Sequence, residues 1–235
     1  MKYFDPYLNE NGVLKNKLGI NDSEKLEEAE KLIINYKMLK IDEQNFGKSN
    51  NGECLKNINK YLFGDLYEWA GETRKVDMVK FEKYLGGASV DYSSPKFIES
   101  DIKRAFYKLE NIEWNKISDE EKVKKLSSGI TELWQAHAFR EGNTRTIGVF
   151  LDVFTKEKNI PMDYEVIKEN PDYFRNSLVL ATVDETKYIE SMIKGCMESA
   201  KEKNIQKEKI EEKSIKKKNP WSKSKENEKD KESER

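Results

Sequence analysis

The chain has 235 residues, enough to bury a proper core, and its 43 basic and 44 acidic residues leave a net charge of −1. Near-neutrality removes the electrostatic ground for nucleic-acid binding by the folded part, and no apolar run approaches the ~20 residues of a membrane span. One histidine and two distant cysteines, Cys54 and Cys196, exclude multi-histidine metal centres and a disulfide framework.

Residues 201–235 stand apart, with 13 basic and 9 acidic residues and few large apolar ones. The composition divides the chain into a domain over 1–200 and a charged tail over 201–235. The tail is expected to be disordered, or a frayed helix up to about Lys218, with no specific role. The opening Met-Lys-Tyr-Phe-Asp has no apolar leader core, so a soluble, cytoplasmic protein is expected.

Taken in order, residues 1–20 read as a polar, turn-rich arm. Asn21 followed by Glu24 predicts a capped helix over 22–42, with Leu26, Ala29, Leu32, Ile33, Tyr36 and Leu39 on its buried stripe. A second helix is predicted over 53–67, burying Leu55, Ile58, Leu62 and Leu66. Val76 and Met78, then Val90 and Tyr92, alternate with polar neighbours around Gly86-Gly87, which predicts one β-hairpin. Helical spacing returns with Phe97, Ile98, Ile102, Phe106 and Leu109.

Ser118 and Glu121 form a capping-box start for a helix carrying Val123, Leu126, Ile130, Leu133 and Trp134, which runs into His137. After a short segment the run Ile147, Val149, Phe150, Leu151, Val153 and Phe154 is apolar enough for a buried helix. Two more helices are predicted over 164–169 and 173–200, the second with a candidate break at Val183-Asp184. The fold class is all-α with one hairpin.

Chemistry concentrates in His137-Ala138-Phe139-Arg140-Glu141-Gly142-Asn143-Thr144-Arg145, between two helices. A helix N-terminus near Asn143 offers unpaired N–H groups and partial positive charge to a phosphate. Gly142 allows close backbone approach, Asn143 can donate or accept at the cap, and Arg145 can fork onto phosphate oxygens. Glu141 can supply the single carboxylate that Mg²⁺ commonly takes beside phosphates and water. His137 can act as general base, and Phe139 reads as an anchor into the core. Singly, each residue is also explained by an ordinary turn or helix end. A turn, however, requires neither the histidine, the carboxylate nor the arginine.

That segment resembles the active-site motif of Fic-domain proteins, His-x-Phe-x-Asp/Glu-Gly-Asn-Gly/Lys-Arg, through His137, Phe139, Glu141, Gly142, Asn143 and Arg145. The resemblance extends over about residues 1–200, with Leu14–Gly19 and Tyr67–Gly71 also similar to the family. It implies a Fic-type helical domain with a flap at about 74–92 and an active-site loop at 137–145. The implied activity is transfer of AMP from ATP to a Ser, Thr or Tyr hydroxyl of a target protein. His137 would then take the hydroxyl proton and Glu141 would hold Mg²⁺. Gly142, Asn143, Thr144 and Arg145 would hold the phosphates. The flap, including Lys80 and Val90, would pair with an extended target segment. Self-association stays open.

Thr144 stands where adenylylating members usually carry Gly and Doc-like kinases Lys, so its Cβ is expected to narrow the phosphate seat. Gly148 occupies the place of a second family arginine that holds the γ-phosphate and pairs with an inhibitory glutamate. The two nearest inhibitory patterns, Ser23 with Glu27 and Thr186 with Glu190, lack the final Gly or Asn. An enzyme without that intramolecular lock, and capable of self-modification, is therefore expected. Alternatives are the same scaffold using another nucleotide or phosphate donor or removing AMP, and an inactive helical binding module.

Overall fold

The computed structural model describes residues 5–218, and side chains as far as Glu211. Its helices are α1 (Ser23–Met38), α2 (Gly52–Phe63), α3 (Ile98–Glu110), α4 (Asp119–Ala136), α5 (Asn143–Glu157), α6 (Glu165–Glu169), α7 (Pro171–Ala181) and α8 (Lys187–Lys218). α4 and α5 lie at the centre: α4 packs on α3, α5, α7 and α8, and α5 also packs on α2. One continuous core joins them.

α4 has the expected capping box, with the Ser118 hydroxyl accepting from the Glu121 N–H and the Glu121 carboxylate accepting from the Ser118 N–H. Its stripe from Val123 to Trp134 is buried, and α5 is buried along most of its length. α2 ends at Phe63 rather than near Tyr67, with Gly64 as its cap. The candidate break near Val183 separates α7 from α8, and Asp184 takes a left-handed φ of 65° there.

α1 departs from expectation. Asp22, not Asn21, caps it, and it ends at Met38 before a 3-10 turn at Ile41–Glu43. Its core face is Leu26 and Ile34, whereas Leu32, Tyr36 and Leu39 are exposed. The buried register runs 26, 30, 34 and therefore passes through Glu30. A stripe assembled from apolar residues alone skips that carboxylate and rotates away from the true face.

The hairpin is also corrected. Among the described residues no strand forms; Phe81 and Ser89 make one isolated antiparallel bridge. The chain reverses through a 3-10 turn at Lys83–Leu85, followed by Gly86 and Gly87 with φ of 63° and 89°. Ladder growth stops because the Lys80 N–H is taken by the Ser89 hydroxyl at 3.1 Å instead of a backbone carbonyl. The alternation survives as a pattern of faces: Asp77, Val79 and Phe81 point to solvent, while Val76, Met78, Lys80 and Glu82 turn inward.

The charged segment after residue 200 continues α8 to Lys218 and is exposed over 201–211. It begins anchored, with Lys203 on Asp163 at 2.6 Å and Lys201 on Asp119. The remainder of the expected tail lies outside the described residues. No described helix is long and apolar enough to cross a membrane.

Candidate active site

The loop between α4 and α5 is set by two left-handed residues. His137 caps α4 at φ 46°, ψ 54°, and Gly142 precedes α5 at φ 80°, ψ 15°. Gly142 has no alternative: a Cβ built on it would lie 2.0 Å from the Phe63 ring. Phe139 is buried as the anchor it was expected to be. Asn59 of α2 holds the far side, donating to the Glu141 carbonyl and the Thr146 hydroxyl, both at 3.1 Å, and accepting from the Gly71 N–H at 2.8 Å. Arg140 closes the outer edge on Asp5 at 2.8 Å.

Asn143 spends its side chain inside the loop. Its Oδ1 accepts from the Phe139 N–H at 2.9 Å and its Nδ2 donates to the Phe139 carbonyl at 2.7 Å. What Asn143 retains for a ligand is a first-turn backbone N–H. Thr144 is half-buried at the start of α5. Its Oγ1 accepts from the Trp134 indole N–H at 3.0 Å, which leaves the hydroxyl proton free to donate.

Glu141 is half-buried; its Oε1 accepts from the Gly142 N–H at 2.7 Å and lies 3.5 Å from Arg145. Arg145 lies over the Phe63 ring at 4.7 Å and is paired with Glu30 at 2.5 Å. Glu30 in turn accepts from the Tyr67 hydroxyl at 2.7 Å. Nothing in the motif points to Glu30; the available signal was a carboxylate in register with Leu26 and Ile34. At Gly148 a Cβ would sit 3.0 Å from the Tyr164 hydroxyl, and the two residues line one cavity of about 380 Å³ with Thr144 and Arg145.

His137 is 2% exposed, and among the described residues neither ring nitrogen makes a well-formed hydrogen bond, although the Trp134 backbone lies close enough to favour the charged ring. Tyr92 packs on the imidazole at 4.0 Å between centroids, and Trp134 meets it edge-on at 5.6 Å. Burial, reinforced by the charges of Lys80, Arg74 and Arg175, holds its pKa well below the ordinary imidazole value. The ring is therefore neutral at pH 7, the state a base requires. Lys80 is itself held below the usual ammonium value by burial, with Glu141 opposing that shift. The flap is tied down by an ion pair of 2.7 Å between the buried Glu82 and Arg175 of α7.

Val90, expected to meet a target, is buried at 4% exposure and belongs to the core; the exposed large apolar and aromatic residues of the flap are Val79, Phe81 and Tyr84. Alternation places Lys80 on the inward face, toward the loop rather than toward solvent. Among the described residues no group of three His, Cys, Asp or Glu could hold a metal. The donors present fit only a hard cation taking one carboxylate, Glu141, with remaining ligands from water and phosphate.

The imidazole carries a stability prediction. In the unfolded chain His137 gains its proton near the ordinary pKa of ~6.5, whereas the folded state resists it. Stability should thus hold above that pH and fall as pH drops below it, by at most about 1.4 kcal/mol per pH unit. Thermal melts from pH 7 to 5.5 should show this slope, and His137→Gln should flatten it.

Residues 51–155 match the Fic/DOC family. The chain is 31% identical over 166 residues to the protein adenylyltransferase VbhT of Bartonella schoenbuchensis, covering 70% of this chain and 33% of that protein. It is 28% identical over 172 residues to the probable protein adenylyltransferase y4lH of Sinorhizobium fredii, covering 71% of this chain and 82% of that protein. The chain thus spans about a third of VbhT and most of y4lH. Among solved structures, BepC of Bartonella tribocorum with bound AMPPNP superposes with a TM-score of 0.68 at 20% identity, over 81% of this chain and 95% of that one. The N-terminal Fic domain of a Bartonella quintana effector with bound ADP gives 0.68 at 20%, over 81% and 93%. Motif, loop geometry, helical architecture and relatives agree, and the chain belongs to the Fic/DOC family.

Proposed function

We propose that this protein transfers AMP from ATP to a Ser, Thr or Tyr hydroxyl of a target protein. The reading rests on one observation above the others: the only histidine is buried with neither ring nitrogen in a well-formed hydrogen bond among the described residues, on the loop that carries Glu141 and Arg145. A buried polar atom without a partner is costly, so such a group is retained where a ligand completes it. The names of VbhT and y4lH, protein adenylyltransferase and probable protein adenylyltransferase, support the same activity.

In this reading the target hydroxyl gives its proton to His137 as its oxygen bonds to the α-phosphorus, and pyrophosphate leaves. The N–H groups of Asn143 and Thr144 face the phosphates at the start of α5, the Thr144 hydroxyl donates its free proton, and Gly142 permits the approach. Arg145, held between Glu30 and Glu141, takes phosphate oxygens with its remaining donors. Glu141 holds Mg²⁺, which when bound neutralises phosphate charge. The outward face of the flap, with Val79 and Phe81, receives the extended target segment, and Lys80 lies beneath it beside the loop. The catalytic unit is the domain over 1–200.

Incubation with ATP labelled at the α- or γ-phosphate tests the proposal: label from the α-position only, on the protein itself or a target, is expected. Label from the γ-position only would indicate a phosphoryl transferase, and no label with any nucleotide a binding module. Glu27 is exposed and paired with Lys31 at 2.7 Å, whereas Arg145 pairs with Glu30 and Glu141. Glu27→Gly and Glu190→Gly should therefore leave self-modification within twofold of the parent, and a many-fold rise in either would show that a glutamate lock exists.

A further inference from the structure

Arg74 lies at the foot of the flap, in the turn that follows Trp69-Ala70-Gly71, and is 2% exposed. Its Nε donates to the His137 carbonyl at 2.7 Å, its Nη1 to the Val76 carbonyl at 2.6 Å, and its Nη2 to the Ser93 carbonyl. Its backbone N–H donates to the Ala138 carbonyl at 2.8 Å. Val76 opens the flap and Ser93 closes it. One planar group therefore reaches both feet of the flap and the peptide of the candidate base.

We infer that Arg74 is a positioning residue for the transfer reaction, joining both feet of the flap to the His137 backbone so that flap placement and imidazole placement are set together. The inference rests on the adenylyl-transfer reading for its catalytic consequence, though not for its structural content.

Three physical points carry it. His137 occupies a left-handed cap position that glycine or asparagine ordinarily fills, and a side chain there is held only by external restraint. Among the described residues its ring makes no well-formed hydrogen bond, so the imidazole is oriented chiefly by packing on Tyr92 and Trp134 and by the peptide that bears it. A guanidinium offers a fixed fork of donors and a permanent charge, and no other side chain can meet three carbonyls in one plane. Two weaker ties run in parallel, Gln135 Nε2 to the Asp91 carbonyl at 3.1 Å and the Ser93 N–H to the Gln135 carbonyl at 3.4 Å. Both reach only the second foot of the flap. Among the described residues, Arg74 is the side chain whose hydrogen bonds link the two feet and His137.

Having a single histidine makes the test direct. With ¹³C-labelled histidine, the full chain should show one sharp set of imidazole signals. Arg74→Lys, and Arg74→Gln as a second variant, should split or broaden them. Turnover with α-labelled ATP should fall about 10²-fold, the scale of a misplaced reacting group, while nucleotide affinity stays within twofold. Leu109→Ala, a buried change in α3, serves as the control: it should lower the melting temperature yet keep one ring signal and parental turnover. A single sharp signal in both Arg74 variants would overturn the inference. So would parallel loss of turnover and nucleotide affinity, or failure of both variants to fold when Leu109→Ala folds. If the parent transfers no label, the adenylyl-transfer reading fails, and the ring signals still decide whether Arg74 positions His137.

Discussion

Replacing His137 with alanine should reduce adenylyl transfer by about 10²–10⁴-fold, the usual contribution of a general base. Intact mass after incubation with ATP and Mg²⁺ should show added AMP on the parent protein and none on the variant. No second histidine can substitute, because the chain has only one. The fold should tolerate the change. Loss of ring packing against Tyr92 and Trp134 destabilises, but removing two buried nitrogens that lack well-formed hydrogen bonds among the described residues offsets it, each such group costing about 1–3 kcal/mol. The melting temperature should therefore shift by only a few degrees. A variant that unfolds would show that the imidazole serves as core filling, and residual transfer near the parental rate would place the base elsewhere.

Gly142→Ala should act through the opposite route, with a large effect on stability and on the nucleotide seat together. The added Cβ would lie 2.0–2.1 Å from two atoms of the Phe63 ring and would sit on a backbone with φ of 80°. Left-handed strain costs about 1–2 kcal/mol and overpacking a further 1–3 kcal/mol. A net loss near 3 kcal/mol corresponds to roughly 6–12 °C in melting temperature for a domain of this size. Nucleotide affinity should fall with it, since moving Gly142 displaces the first N–H groups of α5 and the Arg145 beside Phe63. Combining Gly142→Ala with Phe63→Leu should return part of the stability. If the single variant melts like the parent and binds nucleotide normally, the tight approach of α2 to the loop is not what shapes the seat.

Local information sufficed where a signal was complete within a few residues. The Ser118 and Glu121 capping box needs only four positions, and the stripe from Val123 to Trp134 is unambiguous because no charged residue falls in its register. The loop from His137 to Arg145 was legible for the same reason, its residue types standing next to one another in the chain. α1 failed because Glu30 sits on the buried face, bonded to Tyr67 and Arg145, so the apolar periodicity gave the wrong rotation. The flap failed as a ladder because one hydroxyl, Ser89, took a backbone donor, and no local pattern records that choice.

The sequence by itself determined the helical class, the central pair of helices and the chemistry of the loop between them, since helix periods, caps and a contiguous motif are properties of near neighbours. Only the tertiary structure decided what surrounds that chemistry. It turned Val90 inward, spent the Asn143 amide on Phe139, placed Tyr164 at Gly148, and brought Arg74 from 63 positions away onto the His137 carbonyl. Such partners are chosen by packing: a buried carbonyl must find a donor, and which distant residue supplies it depends on how the helices meet.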